Sequence, residues 1–513
     1  MLLSWLILIP LVGGILAWTA GTWGPYAEKG NALLCRWISL AALAVELVLV
    51  IYLWLVRPPD GGSWLAEMSV PWLPAFGIGF HLAMDGISLL FVLLTALLGM
   101  AAVITSWTEI DRQVGFFHFI LLSALAGIIG VFTAFDLFLF AFFWELMLVP
   151  MYFLIALWGH EKRGAAAFKF FIFTQLSGLL MLVSILALYF IHGRQTGVYT
   201  FDYFALIGTS VPSGIASLIL LGFLAAFLVK IPAVPFHVWL PDAHTEAPTA
   251  GSIILAGLLL KTGGYGLLRF ALPLFPGAAA EIAPLGMTLG VIGILYGAVL
   301  TFAQTDLKRL VAYTSVSHMG FVLLGIFART ETAMMGAIIQ MLSHGISTGA
   351  LFILAGALQE RLHTRDMQRM GGLWAVVPRL GGVWLFFALA SLGLPGMGNF
   401  IGEFLVLLGA YRVSPHMTAL AALGFVVSTL YAVRMVQKVF FGNIRETRKI
   451  PDLFLREMTI MAVMIAMTLW LGLYPRPFLD TAKSGLANLA KMDGMAPREF
   501  VRTTNPGGAH DTP

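Results

Sequence analysis

Apolar stretches about twenty residues long recur from Leu2 to about Trp470, each long enough to cross a hydrocarbon core roughly 30 Å thick as an α-helix. Inside lipid every backbone amide must find its partner within the protein, which leaves only helices or a closed barrel. A barrel would show segments of about ten residues alternating apolar and polar, and that alternation is missing here. The expected fold class is an all-α integral membrane protein. Charge agrees: only 11% of the 513 residues are Asp, Glu, Lys or Arg, against about 25% in a soluble domain.

Apolar windows and charged breaks together predict about fourteen spans, beginning near residues 2, 32, 84, 114, 137, 168, 216, 250, 282, 308, 333, 380, 416 and 457. The opening MLLSWLILIP lacks a basic n-region and a small-residue cleavage site, so it reads as a first span and not as a removable signal. The odd-numbered connections hold about 17 Lys and Arg, among them Lys162, Arg163, Lys308, Arg309, Arg361, Arg365, Arg445 and Lys449; the even-numbered ones hold about 5 and the C-terminal tail about 5. The positive-inside bias then puts the odd connections in the cytoplasm and both termini in the periplasm of a bacterial inner membrane.

This count leaves about three basic residues inside spans, Lys230, Lys261 and Arg434, where a charge is costly. Arg434 lies near the end of its span, beside Lys438, and can snorkel to the interface. Lys230 ends the run LILLGFLAAFLVK and precedes IPAVPFHVWLPDAH, where Pro232 and Pro235 remove amide donors and break the helix in mid-membrane. Lys261 sits in SIILAGLLLKTGGYGLLRF among Gly257, Gly263, Gly264 and Gly266, which let helices approach closely. Burial disfavours a charged ammonium, so a lysine in such a place can exchange a proton near neutral pH.

Two carboxylates complement the lysines. Glu145 lies in FLFAFFWELMLVPMYFLIALW, and Glu403 follows Pro395, Gly396 and Gly398 in SLGLPGMGNFIGEFLVLLGAY, a second expected helix break. An acid near a buried lysine favours the ammonium, so Glu145 is expected to hold Lys230 protonated when close and to release it when displaced. His237, His318 and His344 extend the set, since imidazole both donates and accepts protons near neutrality. The plainer alternative for each is a structural hydrogen bond to a neighbouring helix.

Other chemistries find little support. A single cysteine, Cys35, cannot form an internal disulfide or hold an iron–sulfur cluster, and no tight His or Cys grouping suggests a metal site. The net charge of +4 is scattered over short loops and forms no stripe that would bind nucleic acid. A passive membrane anchor would not need two Lys and two Glu within apolar spans beside helix breaks.

Four stretches, KIPAVPFHVWLPDAHTEAPTAGS (230 to 252), LKTGGYGLLRF (260 to 270), QTDLKRLVAYTSVSHMGF (304 to 321) and SLGLPGMGNFIGEF (391 to 404), resemble the antiporter-like subunits of respiratory complex I and of multisubunit cation/proton antiporters. The resemblance covers nearly the whole chain. It implies fourteen helices, with spans four to eight and nine to thirteen forming two inverted repeats, each with a broken helix. The organisation expected is N-terminal helices over 1–112, a first repeat over 113–272, a second over 273–442, and a C-terminal helix with a periplasmic tail over 443–513. It further implies Glu145 and Lys230 as a modulating ion pair, Lys261 as central proton relay and Glu403 as terminal relay.

Glu403 discriminates within the family, because the M-type subunits of complex I carry Glu where other antiporter-like subunits carry Lys. The opening MLLSWLILIPLVGG and the stretch MYFLIALWGHEKRGAAAFKFFIFTQ also look M-type. The implied function is proton translocation coupled to quinone reduction elsewhere in the complex. FMN, iron–sulfur clusters and quinone are expected on partner subunits, with no cofactor on this chain. The implied partners are the other membrane subunits, notably two further antiporter-like ones, together with lipids. The nearest alternative is a subunit of a sodium/proton antiporter or of a membrane-bound hydrogenase.

Overall fold

A computed structural model describes residues 1–22, 31–56, 64–444, 446 and 450–492. Arg445, Lys449 and most of the expected tail lie outside them. Thirteen described helices are long and apolar enough to cross a membrane. Spans 1 to 6 are Leu2–Thr22, Ala32–Leu55, Gly86–Glu109, Val114–Thr133, Leu137–Trp158 and Arg163–Thr196. Span 7 begins with Ser213–Lys230, and spans 8 to 11 are Thr249–Leu274, Pro276–Ala303, Leu307–Phe327 and Glu331–Leu362. Spans 13 and 14 are Pro415–Phe440 and Leu455–Leu473.

Span 12 comes as two halves, Pro378–Ser391 and Gly398–Tyr411, each of 14 residues. At 1.5 Å per residue either half reaches only about 21 Å, so the two must cross the hydrocarbon together. Both expected breaks are present. Span 7 stops at Lys230 and resumes as a tight turn, Phe236–Trp239, and a helix, Leu240–Glu246. Between the halves of span 12 the helix is interrupted at Gly393 (φ 77°) and Gly396 (φ 93°), a left-handed backbone that side-chain-bearing residues rarely adopt.

The apolar stretches of spans 8 and 11 are buried along their whole length, whereas span 2 is buried over 22% of its stretch and span 14 over 28%. Spans 8 and 11 therefore form the axis of the bundle, and the others shield them from lipid. That shielding permits irregular backbone in span 8, where π-helical turns at Leu255–Leu259 and Leu267–Ala271 flank Lys261.

Two elements go beyond the expected helices. An antiparallel hairpin, β1 (Ala66–Leu73) and β2 (Ile78–Met84), precedes span 3, with Ala66 opposite Met84 and Leu73 opposite Ile78. A last helix, Arg476–Met492, follows span 14 and packs on the start of span 3, where Trp54 Nε1 also donates to Thr481 Oγ1 at 2.9 Å.

The hairpin gathers two of the even connections, those after spans 4 and 6, on one face. Phe135 N donates to the His81 carbonyl at 2.9 Å, Gly79 N to Asp136 Oδ2 at 2.9 Å, and His81 bonds Asp202 at 2.5 Å and Glu67 at 3.1 Å. The odd connections meet on the opposite, basic face, where Arg365 pairs with Asp306 at 3.2 Å and His160 N donates to the Glu246 carbonyl at 2.9 Å. Arg434 lies over the Phe302 ring at 4.0 Å, in the last turn of span 9 on that basic face.

Burial alone would lower the His81 pKa, but the hydrogen bonds and charges of Asp202 and Glu67 outweigh it and raise it. A raised folded value means that the His81 contacts contribute in full below the ordinary imidazole pKa, and that the contribution is lost as pH rises through the folded one. Hydrogen-exchange protection of the β1 and β2 amides is therefore expected to fall as pH rises above the ordinary imidazole range in the wild type. His81→Asn should flatten that dependence; an unchanged pH slope in the variant would remove His81 as its source.

Candidate functional site

The site grows from a close approach of spans 8 and 11. A Cβ added to Gly345 would lie 2.9 Å from the carbonyl of Gly257, so these two glycines let the backbones nearly touch. The contact delivers His344, next to Gly345, onto Lys261. Lys261 is fully buried; its Nζ lies 2.7 Å from His344 Nδ1 and also donates to the Ala256 carbonyl.

From His344 the line continues across the bundle. The His344 and His318 rings lie edge to face with centroids 5.6 Å apart. His318 Nδ1 bonds Glu403 Oε1 at 2.8 Å, and its Nε2 meets Ser391 Oγ at 3.1 Å. Gln340 Nε2 donates to the same Glu403 oxygen at 2.8 Å. The other carboxylate oxygen lies against Gly393, at the corner of the break in span 12. Lys261, His344, His318 and Glu403 thus form one row of exchangeable groups, each buried to 2% exposure or less, contributed by spans 8, 11, 10 and 12.

Lys230 lies beside this row. It is fully buried where span 7 breaks, and its backbone packs on Gly263 of span 8, whose added Cβ would meet the Lys230 Cβ at 3.0 Å. Its ammonium has no hydrogen-bond partner among the described residues and rests over Trp144 at 5.3 Å and Phe170 at 5.5 Å. Such ring contacts contribute about 0.5–2 kcal/mol, less than the several kcal/mol an ion loses on leaving water. Glu145, the next residue after Trp144, makes no ion pair with Lys230 in this arrangement; its Oε1 points at span 6, 2.8 Å from where a Cβ on Gly178 would stand. His237 also stands apart from the row, edge-on to Tyr296 at 5.7 Å.

Several polar groups escape the sequence reading. His244 is fully buried with both ring nitrogens unpartnered among the described residues, stacked on Phe352 at 4.5 Å. Its signal was its place seven residues, two helical turns, after His237. Gln340, Ser391 and Tyr431 surround the His318–Glu403 contact, but as neutral residues they carry no signal in an apolar span. Arg269 is a further intramembrane charge beyond the three expected, 1% exposed inside span 8. On the basic face a cavity of about 320 Å³ is lined by Glu109, His160, Thr249, Gln359 and Glu360, with Lys308 buried 3.4 Å from His160. Burial, then the charges of Lys308 and Arg365, lower the His160 pKa to about 4, so His160 is neutral at physiological pH.

A family model described as NADH:quinone oxidoreductase/Mrp antiporter, transmembrane, matches residues 134–430. NADH-quinone oxidoreductase subunit M of Escherichia coli (strain K12) is 52% identical over 507 residues, 95% of this chain and 97% of that protein. The chain belongs to this family of antiporter-like membrane subunits. NADH-quinone oxidoreductase subunit M of Pseudomonas aeruginosa is likewise 52% identical over 509 residues, 97% of this chain and 99% of that protein. The fold agrees with a chain of Thermus thermophilus respiratory complex I at TM-score 0.86 and 32% identity, covering 96% of this chain and 100% of that one. A chain of the Mrp complex from Dietzia sp. DQ12-45-1b gives 0.83 at 20% identity, with 97% and 98% covered, and speaks for the shared fold alone.

Proposed function

We propose that this chain is the proton-carrying M subunit of an NADH:quinone oxidoreductase in a bacterial inner membrane. The observation that carries the reading is the buried row Lys261, His344, His318, Glu403, because each member can hold a proton and the spacing lets it pass one on. In this reading Lys261 is the central relay and Glu403 the terminal one, while Glu145 and Lys230 act as the gate. Glu145 swings between Gly178 and the lysine, so the separated arrangement is one of its two states. The basic-face cavity at Glu109 and His160 supplies protons, and the odd connections face the cytoplasm. Spans 4 to 8 and 9 to 13 act as two inverted repeats, over 113–272 and 273–442, each carrying one of the broken helices.

The redox chemistry belongs to partners in this reading: FMN, iron–sulfur clusters and quinone sit on other subunits, and motion relayed through neighbouring antiporter-like subunits drives the gate. Glu145→Ala and Lys230→Ala are each expected to cut proton pumping and coupled quinone reductase activity sharply while the complex assembles, as read by dye quenching in vesicles and native gels. Near-normal pumping in both assembled variants would remove the gate.

Sidedness has its own test. With Cys35 replaced, a cysteine at Glu161 should be labelled only from the cytoplasmic side and one at Arg412 only from the periplasmic side. Reaction of both from one side would contradict the orientation.

A further inference from the structure

Span 8 continues for thirteen residues beyond Lys261 toward the hairpin face, a second direction from the buried lysine besides that of His344. That way ends in a cluster the relay does not use. Eight residues past Lys261, about 12 Å along the helix, the Arg269 guanidinium pairs with Asp85 at 2.5 Å, each side chain being 1% exposed. The rings of Trp64, Phe135 and Tyr265 surround the guanidinium at 5.8, 5.3 and 5.4 Å. Its Nε and Nη1 have no partner among the described residues.

We propose that the Asp85–Arg269 pair, in its collar of Trp64, Phe135 and Tyr265, is an electrostatic seal that closes the hairpin-face end of span 8, so that a proton on Lys261 leaves only sideways through His344. This rests on Lys261 being a proton carrier.

Neither member of the pair can relay a proton. A guanidinium does not deprotonate in a protein. Asp85 is held as the carboxylate by three donors: Oδ1 accepts from the amides of Ile87 and Ser88 at 3.0 Å each, and Oδ2 from Arg269. The Tyr265 hydroxyl between Lys261 and the pair is held by the Phe132 carbonyl at 2.9 Å and Ser88 Oγ at 3.0 Å. The cluster is fixed from three elements, since Tyr203 also donates to the Arg269 carbonyl at 2.5 Å. A ring of aromatics around a fixed guanidinium, two of whose nitrogens are left unmatched by Asp85, opposes the passage of protons and cations, as an Arg does in other selective pores. The Glu403 end differs, because its carboxylate sits at a helix break on a histidine that can exchange protons.

The test uses the whole complex in inverted membrane vesicles without NADH, following the decay of an imposed pH gradient. Asp85→Asn/Arg269→Gln removes both charges without stranding either, and is expected to speed the decay several-fold over wild type at matched complex content. Adding Lys261→Met to the double variant should restore the wild-type rate, and Arg269→Lys should stay tight. Wild-type decay in the assembled double variant overturns the seal, as does a leak that persists without Lys261 or one equally large in Arg269→Lys. Should the double variant not assemble, Tyr265→Phe decides: a sealed end predicts an unchanged proton yield per NADH, and a lowered yield would make the phenol part of an outlet and end the proposal. Driven pumping in Lys261→Met alone separates the two ideas. Normal pumping there defeats the carrier role; lost pumping with no leak in the double variant defeats only the seal.

Discussion

Glu403→Gln is expected to abolish most proton translocation per NADH oxidised, because the amide keeps the shape and hydrogen bonding of the acid but cannot ionise. The geometry makes the variant clean: Gln340 and His318 both bond Oε1, and an amide oxygen can accept from either. Glu403→Asp should retain much of the activity. Glu403→Lys should be partly tolerated, since the resemblance implies lysine at this position in other antiporter-like subunits. A purely structural role orders the variants differently, with Gln mildest and Lys worst, because damage would then follow packing and the penalty of about 3–5 kcal/mol for an unpaired buried charge. Wild-type pumping in Glu403→Gln at matched complex content would rule out this residue as an obligatory carrier.

Lys261→Met should have an effect of the same size by cutting the row at its origin. The thioether fills the volume of the lysine stem but cannot replace the bond to His344 Nδ1 at 2.7 Å. Loss of pumping with retained assembly, by dye quenching and native gel, is the expected result. Gly345→Val should mimic it from a distance: a branched side chain beside the Gly257 carbonyl must push spans 8 and 11 apart and lengthen the Lys261–His344 contact. If Gly345→Val assembles and pumps normally, direct contact between the two side chains is not required.

Much of this site could be read in the sequence because the bilayer makes ionisable residues conspicuous. Lys230, Lys261, Glu145 and Glu403 stand out in apolar runs, and Pro232, Pro235 and Pro395 mark breaks by chemistry local to the chain. Arg269 was lost in the count because it stands four residues before Pro273 and close to the end of its run, where a connection is the simpler reading. The hairpin was lost because contacts that hold it in place are non-local, His81 meeting Asp202 121 residues away in sequence.

The sequence by itself determined the fourteen crossings, their alternation between a basic face and its opposite, and the two breaks. Hydrocarbon thickness, charge and proline act residue by residue along one helix. Only the tertiary structure decided who faces whom. A span that is apolar all around has no polar stripe to orient it, so its periodicity cannot say that Lys261 meets His344, that His318 meets Glu403, or that Glu145 stands against Gly178 without bonding Lys230. Those pairings follow from where small residues let backbones touch, Gly257 against Gly345 above all, and such complementarity exists only between helices already assembled.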